Sequence, residues 1–215
     1  APDGPRHARP PGAPCFAPTA PLPTIAFAHD RDPGYLDRFA GVVVTGAGAP
    51  TVNATPVAEF NIWAEPEAAA AVFEAGTALA MIGLHLTTQV RMGPAHAAQL
   101  REAGSTTAVM VADILEYYST STRTSRALGG AAMHDPCAVL RVTHPEIFSG
   151  RIQPVAVETE GRLTRGMTVV DNRVHPRHAD EQRDPAFNDR VDVGYGADAA
   201  QAVELILEAA TAPLA

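Results

Sequence analysis

The chain has no lysine, only two cysteines and no long apolar run. Its 215 residues carry 16 basic side chains, all of them arginine, against 24 acidic ones, so the net charge is −8 at pH 7. Without an arginine cluster, this balance argues against a phosphate-binding face, and nucleic acid is not an expected partner. No apolar run reaches membrane-spanning length and the first residues do not resemble a signal peptide, so we expect no membrane partner.

The two cysteines, Cys15 and Cys137, form neither a disulfide framework nor a zinc-binding pattern, which fits the reducing cytoplasm. Apolar residues make up 46% of the chain and charged residues 19%, as is usual for a globular protein. The length is enough for one domain with a sizeable core, or for a large part of a bigger one.

Proline is concentrated at the start of the chain. Residues 1–23 hold eight of the nineteen prolines, so neither a helix nor a central strand can run through them. We therefore predict a disordered, proline-rich leader over residues 1–22, followed by one domain over residues 23–215. Two other interpretations stay open: a proline-rich ligand for another domain, or residues that are foreign to the fold, as in a truncated or misframed sequence.

The rest of the chain alternates between short β-branched runs and amphipathic segments, which is typical of an α/β fold with a largely parallel sheet. The predicted strands are residues 41–46, 77–84, 152–158, 167–170 and 191–193. The predicted helices are residues 66–74, 94–103, 106–118 and 197–210, with Val109, Val111, Ile114 and Leu115 of the third directed toward a core.

One segment combines polar and apolar residues in a way that suggests the floor of a polar pocket. It reads Asn53-Ala-Thr-Pro-Val-Ala-Glu59-Phe-Asn61-Ile-Trp-Ala-Glu-Pro-Glu-Ala68. Asn and Glu are costly to bury unless each polar atom has a partner, and here they alternate with residues that favour burial. The alternative is a surface loop with ordinary turn and capping residues, and the spacing alone does not decide between the two.

The spacing Asn-x-Thr-Pro-x-x-Glu-Phe-Asn-Ile, followed by Pro-Glu-Ala-Ala, resembles the ribose-recognition segment of the inosine-uridine preferring nucleoside hydrolases. The resemblance implies that Asn53, Glu59 and Asn61 hydrogen-bond the hydroxyl groups of the sugar. It also implies a nucleoside hydrolase-like, Rossmann-like fold with a mostly parallel central sheet flanked by helices, which we expect to be incomplete in this chain.

A second motif, Met133-His134-Asp135-Pro136-Cys137, begins an apolar helix. From the residues alone, the Asp135 carboxylate would cap free backbone amides. Beside the first motif it resembles the family's His-Asp-Pro or His-Asp-Ala, which implies that Asp135 binds calcium and that His134 protonates the leaving base. We expect Cys137 to pack in the core rather than act as a nucleophile.

The calcium site that the resemblance implies is incomplete. The family carries an Asp-x-Asp-Pro-Gly-x-Asp-Asp motif ahead of the matched region, and this chain has the proline-rich stretch instead. In the similar Pro-Leu-Pro23-Thr-Ile-Ala segment, Pro23 stands where the family has a threonine whose carbonyl binds the metal. The sequence Asp30-Arg31-Asp32-Pro33-Gly34-Tyr35-Leu36-Asp37 is close to the missing motif, but Asp-Pro-Gly is above all a turn signal and we interpret it as a surface turn.

We therefore expect an enzyme that hydrolyses the N-glycosidic bond of ribonucleosides, impaired by the incomplete metal site. The alternative is a non-catalytic fragment or nucleoside-binding remnant. By resemblance, the protein would form a homodimer or homotetramer, and the loop that follows Tyr117 and Tyr118 would close over the base. Loops of that composition are also often merely flexible.

Overall fold

The computed structural model describes residues 13–48, 51–121, 129–173 and 184–213. The chain divides into two compact units. Unit 1 comprises residues 1–85 and 150–195, and unit 2 comprises residues 86–149 and 196–215. The single domain predicted over residues 23–215 stays a prediction.

The described residues form eight strands and eight α-helices. The strands are β1 (Cys15–Phe16), β2 (Gly41–Thr45), β3 (Leu79–Ile82), β4 (Arg91–Met92), β5 (Ala131–Ala132), β6 (Phe148–Val157), β7 (Thr168–Val170) and β8 (Asn188–Ala197). The helices are α1 (Pro23–Arg31), α2 (Phe60–Ala64), α3 (Pro66–Glu74), α4 (Leu84–Thr87), α5 (Pro94–Ala103), α6 (Thr106–Ser121), α7 (His134–Thr143) and α8 (Ala199–Thr211). Single 3-10 turns cover Leu36–Arg38 and Pro145–Ile147.

Unit 1 is organised around a six-stranded sheet in the order β1-β2-β3-β8-β6-β7. The first four strands pair in parallel, and β6 pairs with β7 in antiparallel register. The carboxyl ends of β2 and β3 lie side by side, since Thr45 is paired with Ile82. The fold therefore confirms the predicted α/β class with a mostly parallel sheet.

The core of unit 1 explains why β2 reads as an uninterrupted apolar run. Four of the five residues of β2, Val42 to Thr45, are buried, as is usual for a strand inside a parallel sheet. The largest side chains of this core come from the neighbouring strands and helices: Leu22, Leu36, Ile62, Phe73 and Met81.

Unit 2 is mainly helical. Its core is formed by small and branched side chains of α5, α6 and α8 together with the short β4–β5 pair: Met92, Ala97, Leu100, Ala108, Ala112, Leu115, Ala131 and Ala210. In α6 the buried side chains are Ala108, Ala112, Leu115 and Ser119, whereas Ile114 is 59% exposed. The prediction that Ile114 faces a core was therefore wrong, because four-residue spacing through the alanines sets the packed face.

The predicted leader contributes to the sheet. Within residues 13–22, β1 pairs in parallel with β2 and Leu22 is fully buried. A two-residue strand at the end of the sheet tolerates the flanking prolines Pro14 and Pro18, which a central strand would not. Residues 1–12 of the predicted leader lie outside the described residues.

The loop expected to close over the base can be placed only in part. Tyr117 and Tyr118 belong to the last turn and a half of α6, and both are exposed, while residues 122–128 of the proposed closing loop lie outside the described residues. Residues 174–183, which include His175 and His178, also lie outside the described residues. Within the described ranges, no helix combines the length and apolar composition that a bilayer span requires.

Candidate functional site

In unit 1, the segment predicted to bind a sugar folds into a compact polar turn. Glu59 is the residue before α2, and its Oε2 accepts hydrogen bonds from the amides of Asn61 at 2.9 Å and Ile62 at 3.3 Å. Asn53 Oδ1 accepts from the Phe60 amide at 2.9 Å. Asn53 and Glu59 thus both cap the first turn of α2, while Asn61 presents its side chain from that turn.

A third amide reaches Glu59 from the end of β2. Ala47 donates to the same Oε2 at 3.2 Å, and the Ala47 carbonyl accepts from the Leu84 amide at 3.2 Å. Ala47 is fully buried and has φ of +71°, in the left-handed region that residues other than glycine rarely adopt. Such a backbone persists where its surroundings fix it, and here two hydrogen bonds do so.

Glu59 is 5% exposed, although carboxylates are seldom buried without partners. Its three amide donors all bind Oε2, and the described residues provide no further hydrogen bond to Oε1. Burial raises the pKa of Glu59 above its usual value, while the amides of Asn61, Ile62 and Ala47 act in the opposite direction. The arrangement therefore holds one carboxylate oxygen rigidly and keeps the other available for a ligand hydroxyl.

The same edge of the sheet carries His85, which follows β3. His85 Nε2 lies 2.7 Å from the Gly194 carbonyl, and burial lowers the pKa of the imidazole while that contact raises it. Its ring centroid is 5.4 Å from that of Tyr195. These contacts tie His85 to the neighbouring strand β8.

Pro23 is the first residue of α1 and is exposed. In an α-helix, the carbonyl of the first residue accepts from the amide four residues further on, which leaves one lone pair for any other partner.

The segment that is close in sequence to the family's Asp-rich calcium motif forms a turn. Asp32 Oδ1 accepts from the Gly34 amide at 3.2 Å, and Asp37 Oδ1 accepts from the Thr77 hydroxyl at 3.2 Å. The interpretation as a surface turn is therefore confirmed.

In unit 2, His134 and Asp135 lie in the first turn of α7, where the helix dipole stabilises a carboxylate. Burial lowers the pKa of His134, and the Asp135 charge raises it. His134 Nδ1 lies 2.6 Å from the Thr87 hydroxyl, a contact that no sequence pattern indicated.

Cys137 is fully buried and burial raises the pKa of its thiol to about 12, which fits the predicted packing role.

The structure thus brings Asn53, Glu59 and Asn61 together in unit 1, and His134 with Asp135 in unit 2. Over the described residues, no group of three or more His, Cys, Asp or Glu side chains is arranged to hold a metal ion. The sequence patterns did not identify Gly46 and Ala47 as part of this site. A glycine directly after a buried strand is the only signal that could have indicated them.

The sequence of the chain matches one family along most of its length. The family model described as inosine-uridine preferring nucleoside hydrolase matches residues 6–204. The chain belongs to this family.

Curated nucleoside hydrolases resemble the chain at the sequence level. The inosine-uridine preferring nucleoside hydrolase of Crithidia fasciculata is 39% identical over 168 residues, which is 78% of this chain and 53% of that protein. The pyrimidine-specific ribonucleoside hydrolase RihA of Shewanella woodyi is 38% identical over 157 residues, 73% of this chain and 50% of its own length. The chain spans about half the length of the curated relatives it matches.

Solved structures of nucleoside hydrolases share the fold. A purine-preferring ribonucleoside hydrolase from Gardnerella vaginalis superposes with a TM-score of 0.80 at 26% identity, covering 92% of this chain and 60% of that one. A plant nucleoside hydrolase superposes with a TM-score of 0.84 at 24% identity, covering 93% of this chain and 62% of its own. The predicted nucleoside hydrolase fold is therefore confirmed.

Proposed function

We propose that the chain carries the sugar-binding and leaving-group machinery of a ribonucleoside hydrolase, which converts a ribonucleoside and water to ribose and the free base. The observation that carries this proposal is the Glu59 carboxylate, which is buried at the carboxyl edge of the sheet with three amides on Oε2. Ligands of open α/β sheets bind outside the carboxyl ends of the strands, so this edge is the expected place for a substrate.

The sugar would be bound by Asn53, Glu59 and Asn61. A carboxylate accepts hydrogen bonds only, so Glu59 Oε1 suits a ribose hydroxyl that donates to it, whereas an asparagine amide both donates and accepts. Because three amides already fix Oε2, little side-chain entropy is lost when the sugar binds. This rigidity favours the recognition of one arrangement of hydroxyl groups.

The leaving base would be protonated by His134. When the bond between C1′ and the base nitrogen breaks, the electron pair leaves with the base, and a proton from an imidazolium neutralises it. The water oxygen then forms the new bond to C1′ and releases its proton to the solvent, from which His134 regains the proton that it gave to the base. Burial of His134 favours the neutral imidazole, which is the form in which this residue would finish the transfer.

The calcium ion that the family resemblance implies does not fit the described residues. Calcium binds six to eight oxygen ligands, whereas the proposed set offers the exposed Asp135 carboxylate and the Pro23 carbonyl, and no group of three His, Cys, Asp or Glu occurs in the described ranges. This observation favours a second candidate function, nucleoside binding without turnover. The homodimer or homotetramer implied by the resemblance stays a prediction.

The experiment is ribose release from inosine, adenosine, uridine and cytidine, with added calcium and then with chelator. The variants are His134→Ala, Asp135→Ala and Asn61→Ala. Trp63 is the only tryptophan and follows Asn61 on α2, so its fluorescence reports binding in the same samples. If the chain is a hydrolase, ribose is released and His134→Ala reduces that release for purine nucleosides. Binding without release supports the second function. The absence of both ribose release and a fluorescence response would contradict both functions.

A further inference from the structure

We propose that Thr87 is a positioning residue for His134, holding the imidazole through Nδ1 so that Nε2 is the nitrogen offered to the leaving base. The inference deepens the proposed function and rests on it. Its basis is the 2.6 Å contact between Thr87 Oγ1 and His134 Nδ1, two atoms of unit 2 whose residues are 47 positions apart in sequence. Thr87 is 2% exposed, so the hydroxyl is held in a dry environment.

The backbone around this contact fixes the distance between the two residues. The Thr87 carbonyl accepts from the Val90 amide at 3.2 Å, and the Val90 carbonyl accepts from the Met133 amide at 2.9 Å. Directly beyond, Arg91 pairs with Ala132 in the antiparallel β4–β5 ladder. Thr87 and His134 thus flank one short hydrogen-bonded ladder, which fixes the distance between their backbones.

Threonine suits this position for two reasons. Its β-branched side chain has a restricted χ1, which limits the directions that the hydroxyl can take. A hydroxyl also both donates and accepts, so it can bind Nδ1 in either protonation state of the ring. In the acid form both ring nitrogens carry protons; Nδ1–H then donates to Thr87 Oγ1, and Nε2–H is left for the base.

The contact therefore supplies orientation rather than a reacting group. An imidazole without a partner on Nδ1 can turn about its side-chain bonds, and general acid catalysis requires the donor nitrogen within hydrogen-bond reach of the accepting atom. The effect of losing Thr87 should be specific to substrates whose leaving group must be protonated.

The first test needs no activity. Long-range proton–nitrogen NMR spectra of the ¹⁵N-labelled 215-residue chain report the hydrogen-bonding state of each ring nitrogen of His134. Thr87→Val should shift Nδ1, Thr87→Ser should retain the wild-type value, and Thr211→Val, a matched change in α8 of the same unit, should leave it unaltered. Thr87→Ala serves as the second variant should valine not be accommodated. An unchanged Nδ1 in both hydroxyl-free variants overturns the proposal.

The second test compares inosine with p-nitrophenyl riboside, whose leaving group departs without protonation. Thr87→Val should lower kcat for inosine roughly tenfold, the upper end for one hydrogen bond, with KM and the p-nitrophenyl riboside rate within about twofold. Equal losses on both substrates would mean a merely structural role and would overturn the proposal. If the unsubstituted chain turns over neither substrate, the proposed function has failed and the NMR result still decides the positioning of His134.

Discussion

A Cβ atom on Gly46 would lie 2.5 Å from Oε2 of Glu59 and 3.2 Å from the Cβ of Asn61. Gly46 also has φ of +100°, a conformation in which other residues are strained. The first residue after β2 therefore has to be glycine for the carboxylate to occupy its place beside the Ala47 amide. The sugar-binding turn depends on the backbone of the strand end as much as on its own side chains.

A side chain at position 46 should both strain the backbone and displace the Glu59 carboxylate. We expect Gly46→Ala to lower the free energy of unfolding by about 2–4 kcal/mol, through backbone strain and the displacement of Glu59, and to abolish the Trp63 fluorescence response to inosine. Urea unfolding and fluorescence titration measure the two quantities.

Gly76→Ala is the matched control for this prediction. Gly76 has φ of +68°, but nothing lies within 4 Å of the position its Cβ would take. Gly76→Ala should therefore lower the free energy of unfolding only through backbone strain, by about 1 kcal/mol, and leave the fluorescence response to inosine intact. Equal losses in the two variants would show that contact with Glu59 is not what requires a glycine at position 46.

The protonation of Glu59 should be visible in the pH dependence of stability. Burial raises the pKa of the folded state above the unfolded value, so the folded protein binds the proton more tightly, and stability falls as pH rises from the unfolded to the folded pKa. The difference in unfolding free energy between the wild type and Glu59→Gln should decrease upward from pH 4.5 and become constant above the folded pKa. Denaturation at several pH values measures it; a difference that grows with pH would contradict the shift.

The charge of Asp135 should act on its neighbour. It raises the pKa of His134 against the lowering by burial, so Asp135→Asn should lower that pKa further. Proton NMR titration of the His134 ring measures the change. Asp113→Asn, which removes an exposed carboxylate of α6 that pairs with Arg101 of α5, should leave the His134 titration unchanged. A rise in the pKa of His134 in Asp135→Asn would contradict this electrostatic account.

The two cysteines should differ sharply in reactivity. Cys15 is exposed in β1, whereas Cys137 is fully buried and burial raises the pKa of its thiol to about 12. Since the thiolate is the reactive form, a thiol reagent at about pH 8 should label one cysteine per native chain, and both in denaturant. Peptide mapping identifies the modified residue. Rapid labelling of Cys137 in the native chain would show that the α7 core opens readily.

Local signals in the sequence located several elements with their true ends. The helices α3 and α5 were predicted from Pro66 to Glu74 and from Pro94 to Ala103, as observed, because proline at the first position and glycine beyond the last define each one within a few residues. The motif around Glu59 was recognisable because its spacing lies within a single short segment.

Elements that depend on distant neighbours were predicted less well. The strand β8 was expected over three residues and extends over ten, from Asn188 to Ala197, because pairing with adjacent strands lengthens a strand beyond its apolar centre. The exposure of Ile114 has a similar cause, since the packing of small side chains in α5 and α6 selects the buried face.

The sequence by itself determined the family, the α/β class and the residues proposed to bind sugar and protonate the base, because these reside in short motifs with fixed spacing. Only the tertiary structure decided how those residues are held. The Ala47 amide reaches Glu59 from another element, and the Thr87 hydroxyl reaches His134 across 47 positions of sequence. Hydrogen bonds of this kind depend on where the chain returns in space, and that is fixed by strand pairing and core packing rather than by local residue preference.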